Sequence, residues 1–115
     1  MDNNYTYTTK EMEEKVHTYI SQYKEGYFSP LALIARLTEE VGELAREINH
    51  THGEKPKKAS ESEQSIEEEI GDIIFVLICL SNSLGLDIGK GFHETMSKYS
   101  TRDKDRWTRI EGDNT

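Results

Sequence analysis

Two groups of carboxylates have the residue types and spacing of a cation site. Glu39, Glu40, Glu43 and Glu47 lie close together, and 25 residues separate Glu43 from the next pair, Glu69 and Asp72. On a helix, residues three apart can reach one point between turns, whereas sequence neighbours diverge by about 100°. Glu40 with Glu43, and Glu69 with Asp72, therefore form two acidic pairs. With Ile34 taken as zero, the apolar stripe of the first segment spans roughly 280° to 20°, with Glu40 near 240°, Glu43 near 180° and Glu39 near 140°. Glu40 borders the expected core and Glu39 faces away. Asp72 leads into Ile73, Ile74, Phe75, Val76, Leu77, Ile78, Cys79 and Leu80, which reads as a helix buried on every side. An ionised carboxylate there needs a positive neighbour. A single acidic cluster on a helix is ordinarily solvated surface, and the pairing of two such clusters is what carries the reading. Four convergent carboxylates, with no basic partner expected on those faces, point to a hard divalent cation. All-oxygen ligation favours magnesium, or manganese, over zinc.

Helices must position these groups. Apolar residues recur at three and four rather than alternating, and only Pro30 and Pro56 interrupt, so the fold class is all-α, an antiparallel bundle of about four helices. Thr8 and Glu11 form a capping box for a first helix with the stripe Met12, Val16, Tyr19, Ile20 and Tyr23, ending near Gly26. Ser29 and Pro30 open a second helix, with Ile34, Leu37, Val41, Leu44, Ala45 and Ile48 as its core stripe. Ser65 and Glu68 cap a third, running to about Leu84 before Gly85. Asp87 caps a weaker fourth, with Ile88, Phe92, Met96 and Tyr99 on one side. Residues 1–115 form a single domain, with a polar, mobile connection at about 50–64 and a basic tail from about 100 that packs only partly, Trp107 being its anchor. Lys55, Lys57 and Lys58 in the connection are solvated charge or, on the sharper reading, a lid.

Composition narrows the function classes. With 22 acidic and 14 basic residues the net charge is −8, which repels nucleic acid polymers. The apolar run is far shorter than the roughly 20 residues a membrane span needs, and the N-terminus is no signal peptide, so the expectation is a cytoplasmic protein with no membrane partner. The single cysteine, Cys79, reads as a buried, reduced thiol. At 34% hydrophobic residues, so short a chain buries little of its surface, which favours a homodimer or homotetramer.

The sequence Glu39, Glu40, Val41, Gly42, Glu43, followed by Glu69, Ile70, Gly71, Asp72, resembles the EExxE and ExxD signature of MazG-like nucleoside triphosphate pyrophosphohydrolases, and the resemblance extends from about the first helix to Arg109. It implies a magnesium-dependent enzyme that hydrolyses a nucleoside triphosphate at the α–β link to nucleoside monophosphate and pyrophosphate. It assigns the metal to Glu40, Glu43, Glu69 and Asp72, in agreement with the helical geometry. Glu39 and Glu43 become the candidates for orienting or activating water. Basic groups late in the chain, Lys98, Arg102 and Arg106, become candidates for binding phosphates.

Two rivals stand beside this reading: a phosphoribosyl-ATP pyrophosphohydrolase, and a non-catalytic helical interaction module. Among other groups, His50 and His52 read as polar loop residues rather than a zinc pair. Tyr19 and Tyr23 have helical spacing and read as core rather than as a platform for a base, a role to which Tyr27 is also suited.

Overall fold

The computed structural model describes residues 5–53 and 65–110. Each helix begins where a side chain can satisfy the orphaned backbone donors of its first turn. Helix α1 (Thr9–Ile20) starts with a reciprocal box: Glu11 N–H donates to the Thr8 hydroxyl at 3.1 Å and Thr8 N–H donates to the Glu11 carboxylate at 2.7 Å. Helix α2 (Pro30–His52) has the Ser29 hydroxyl accepting from Ala32 N–H, with Pro30 in the first turn, where its missing donor is harmless. The Ser65–Glu68 box opens α3 (Ile66–Ser83), and the Asp87 carboxylate accepts from Lys90 N–H at the start of α4 (Ile88–Arg102). Gly85, at φ 67°, takes the left-handed conformation that ends α3.

The C-terminal ends differ from the sequence expectation. Helix α1 stops at Ile20, where Gln22 and Tyr23 N–H groups bond back only three residues, so Tyr23 belongs to a turn rather than to the helix. Helix α2 continues through Asn49, His50, Thr51 and His52, which places both histidines in its last turn and shortens the expected connection. Residues 54–64, with Lys55, Lys57 and Lys58, lie outside the described residues. Helix α4 extends to Arg102, taking in Ser100, Thr101 and Arg102 of the expected tail. Trp107 is 66% exposed, with the Arg106 guanidinium over its ring and a hydrogen bond to the Asp103 carboxylate.

Among the described residues there is no strand, and no single helix is long and apolar enough to cross a membrane. Helices α2 and α3 pack most extensively, α1 lies on α3, and α4 meets α1. Leu33 lies beside Val76 and Cys79 whereas Glu40 and Glu43 lie beside Glu69, so α2 and α3 run antiparallel. Helix α1 also opposes α3, since the Asn82 amide donates to the Glu13 carbonyl while Tyr19 meets Phe75 edge-on. Helix α4 departs from the expected antiparallel bundle: it turns 107° from α3 across the short link at Gly85.

The core consists of Leu33, Val76 and Cys79, flanked by Val16, Ile20, Tyr27, Leu37, Phe75 and Leu80. The inward arc of α2 is centred on Leu33 and Glu47 rather than on Ile34, Val41 and Ile48, which are all more than two-fifths exposed. Nor is α3 buried all round, because Ile70, Ile74 and Leu77 face outward. Thus the apolar stripes drawn from periodicity are covered only in part by this chain.

This small core makes single truncations costly. Leu33→Ala is expected to lower stability by about 2–5 kcal/mol and Ser65→Ala by about 1 kcal/mol. Urea unfolding of both variants checks the order; equal losses would mean that Leu33 is not in the core.

Candidate metal centre

Helix α2 turns Glu40, Glu43 and Glu47 toward α3, where Glu69 rises from the first turn to meet them. One carboxylate oxygen from each of Glu40, Glu43 and Glu69 lies within 4.8 Å of the others. Glu69 is 3% exposed and Glu47 7%. The Glu69 Oε2 and Glu40 Oε1 atoms are buried without a hydrogen-bond partner among the described residues. A buried carboxylate oxygen with no donor is costly, and two beside a third carboxylate are more so.

The protonation of the cluster reflects this. Burial, before anything else, pushes the Glu69 carboxyl above its ordinary value, and the charges of Glu43, Asp72, Glu40 and Glu47 push the same way. Glu40 is raised by burial first, then by the Glu43 carboxyl and the Asp72 charge, with Arg36 opposing. Either a proton or a cation must relieve these groups. The donor set is all oxygen, two of the oxygens have no donor, and the atoms are near enough for one hard divalent ion. The residues present therefore fit magnesium or manganese.

Of the expected ligands, Glu40, Glu43 and Glu69 come together, and the half-buried Asp72 lies close enough for its charge to act on both Glu40 and Glu69. Glu39 is exposed, away from the α2–α3 contact. Two further residues at the cluster had been given no role there. Glu47 is nearly as buried as Glu69, and its signal was its position four residues after Glu43, on the same face. Arg36 supplies the basic partner expected to be missing, its Nε 3.6 Å from Glu40 Oε2. His50 and His52, two apart on a helix, diverge by about 200° and cannot chelate one ion together.

Beside the cluster is a cavity of about 410 Å³ walled by Tyr19, Tyr23, Tyr27, Leu33, Arg36 and Phe75, with Cys79 also in its lining. Tyr19 and Tyr23 are about half exposed, so they form cavity wall rather than core. The Tyr27 hydroxyl is fixed by His17 Nδ1 at 2.9 Å and accepts from the Asn82 amide at 3.1 Å. Burial raises the Cys79 thiol above its ordinary value, which keeps it protonated and unreactive.

The late basic residues are not among the groups whose charges act on Glu40 or Glu69. Lys98 and Arg102 stand over the Tyr99 ring, and Arg106 over Trp107. Arg102 and Arg106 share Asp103, at 2.9 and 3.5 Å.

Comparison with known proteins places the chain in a family. Residues 28–107 match the MazG nucleotide pyrophosphohydrolase domain. The chain is 62% identical over 104 residues to the Bacillus subtilis protein YpjD, covering 90% of this chain and 94% of that one. The crystal structure of Bacillus subtilis YpjD superposes with a TM-score of 0.73 at 56% identity, covering 86% of this chain and 98% of the other. That of a Bacillus-conserved MazG protein, a nucleotide pyrophosphohydrolase, gives 0.74 at 54% identity, with 88% and 98% covered. The chain thus belongs to the MazG nucleotide pyrophosphohydrolase family, and is an enzyme rather than a non-catalytic interaction module.

Proposed function

We propose that this protein hydrolyses a nucleoside triphosphate, in a magnesium-dependent reaction, at the α–β link to nucleoside monophosphate and pyrophosphate. The observation that carries this reading is the meeting of Glu40, Glu43 and Glu69 at one point, with two buried carboxylate oxygens that no donor among the described residues satisfies. In it, Glu40, Glu43, Glu69 and Asp72 hold the cation, for which manganese can substitute. When bound, magnesium neutralises charge on the phosphate oxygens. Glu43 or Glu39 orients the attacking water and accepts its proton as the water oxygen bonds to phosphorus and pyrophosphate leaves. The neighbouring cavity, with three tyrosines and a phenylalanine among its walls, suits a planar ring and takes the nucleoside.

The outward apolar residues of α2 and α3 support a homodimer or homotetramer in which a second copy covers Ile34, Val41, Ile48, Ile70, Ile74 and Leu77. Gly42 and Gly71 agree with it. Each costs its helix about 1 kcal/mol relative to alanine, and nothing among the described residues approaches the place where a Cβ would be. Close approach by another helix would give both a reason. In such an assembly Lys98, Arg102 and Arg106 serve phosphates at a site completed between copies.

Three outcomes test this reading. A panel of canonical and damaged nucleoside triphosphates should include at least one that yields pyrophosphate with magnesium and none with chelator; orthophosphate alone, or turnover in chelator, contradicts it.

Metal-free Glu69→Gln is expected to melt at or above metal-free wild type near neutral pH. The gain should vanish as pH falls toward the ordinary carboxylate value of 4.5, because a carboxyl whose folded pKa is raised destabilises only once ionised. Saturating magnesium should raise wild type by about 10 °C and the variant by much less. Equal shifts in thermal melts would remove Glu69 from the ligand set.

Ile48→Glu, which changes a residue on the outward face of α2, should leave a folded monomer of lower activity by light scattering and assay; an active wild-type monomer overturns the assembly.

A further inference from the structure

Arg36 occupies the seam between the carboxylate cluster and the aromatic cavity. Its Nε lies 3.6 Å from Glu40 Oε2, its guanidinium carbon is 5.7 Å from the centre of the Phe75 ring, and its side chain forms part of the cavity wall. It is the one cation among the described residues lining that cavity. As a device for stabilising α2, the pair with Glu40 is poorly made. The base precedes the acid, the less favourable order for residues four apart, and the separation is longer than a hydrogen bond. The Arg36 side chain is also 42% exposed, so water screens the attraction. The planar, always charged guanidinium is, by contrast, well suited to a phosphate, which it can grip with two parallel donors.

The position of Arg36 ties its two neighbours together. A divalent cation entering between Glu40, Glu43 and Glu69 competes with Arg36 for the negative charge of Glu40 and repels the guanidinium. A ligand with its ring in the cavity and its anionic chain at the carboxylates must carry that chain past the same seam. On the proposed reading of the cavity as the nucleoside site, the first phosphate after the sugar crosses at Arg36.

We infer that Arg36 is a substrate-binding residue that releases Glu40 when the cluster takes its cation and grips the phosphate nearest the nucleoside. The two consequences have opposite signs. Removing its charge leaves the carboxylate cluster more negative, so magnesium binds more tightly; it also removes the phosphate contact, so a nucleotide binds more weakly. A residue that only held α2 and α3 together would weaken both.

The test is calorimetry on the full chain as wild type, Arg36→Gln and Arg36→Lys, titrated first with magnesium alone. The second titration, in saturating magnesium, uses nucleosides and their 5′-monophosphates carrying each of the four common bases. Wild type is expected to bind at least one monophosphate about tenfold or more tightly than its nucleoside, in line with a hydrogen bond to a charged group. In Arg36→Gln that ratio should fall to about two or less, with Arg36→Lys between, while magnesium affinity rises by about two- to tenfold. An unchanged ratio in Arg36→Gln, no preference for any monophosphate in wild type, or weakened magnesium binding in Arg36→Gln overturns the assignment. Pyrophosphate release by wild type is a separate readout. If release persists while the ratio is unchanged, Arg36 alone is wrong. If no triphosphate is cleaved, the activity is wrong, and the monophosphate-to-nucleoside ratio still decides Arg36.

Discussion

Mutual repulsion among carboxylates buried at one helix contact is the constraint on which this structure turns. Helices α2 and α3 make the most extensive contact of the fold, yet they place Glu40, Glu43, Glu47 and Glu69 along it rather than an unbroken apolar seam. Such an arrangement is unfavourable in isolation, because burial disfavours each ionised group and each charge disfavours the next. The apolar contact of Leu33 with Val76 and Cys79 holds the same pair of helices together a few turns away. One end of the α2–α3 pair therefore supplies cohesion and the other stores an electrostatic demand that a cation answers.

The second feature to emerge is how close that demand sits to an aromatic cavity. Tyr19 and Tyr23 come from the end of α1 and the turn after it, Leu33 and Arg36 from the start of α2, and Phe75 from α3. Asn82 ties this assembly down by donating to both the Glu13 carbonyl and the Tyr27 hydroxyl. The early stop of α1 at Ile20 matters here, since a helix continued to Gly26 would not wrap the tyrosines around the cavity mouth. A nucleotide has the same two-part chemistry, a ring to be enclosed and a polyanion to be neutralised, which is why the proposed activity follows more naturally from the pair of features than from either alone.

Much of this was legible from residue types. Thr8, Ser29, Ser65 and Asp87 mark the helix starts because capping is local chemistry between a side chain and the next backbone donors. The ends at Ile20 and Arg102 were not legible, because no obligatory stop residue stands there and tertiary contacts decide; at His52 the stop signal, Gly53, was present and passed over. The acidic pairs were found by spacing, and Glu40, Glu43 and Glu69 do converge. The direction of α2, however, was misjudged. Periodicity identifies an apolar arc without saying whether the same chain or another molecule covers it, so Ile34, Val41 and Ile48 were taken for core while Leu33 and Glu47 turn inward. Arg36 escaped notice for a related reason: an arginine four residues before a glutamate on a helix is commonplace, and only the fold reveals the cavity beside it.

The central claim, that the cluster on α2 and α3 is a divalent-cation site, is tested most directly by crystals soaked in manganese and measured for anomalous scattering. The account predicts one or more strong peaks within coordination distance of Glu40, Glu43 and Glu69, with Asp72 turned toward them. Well-ordered crystals with no peak at these carboxylates, or with manganese only elsewhere, such as at His50 or His52, would contradict it.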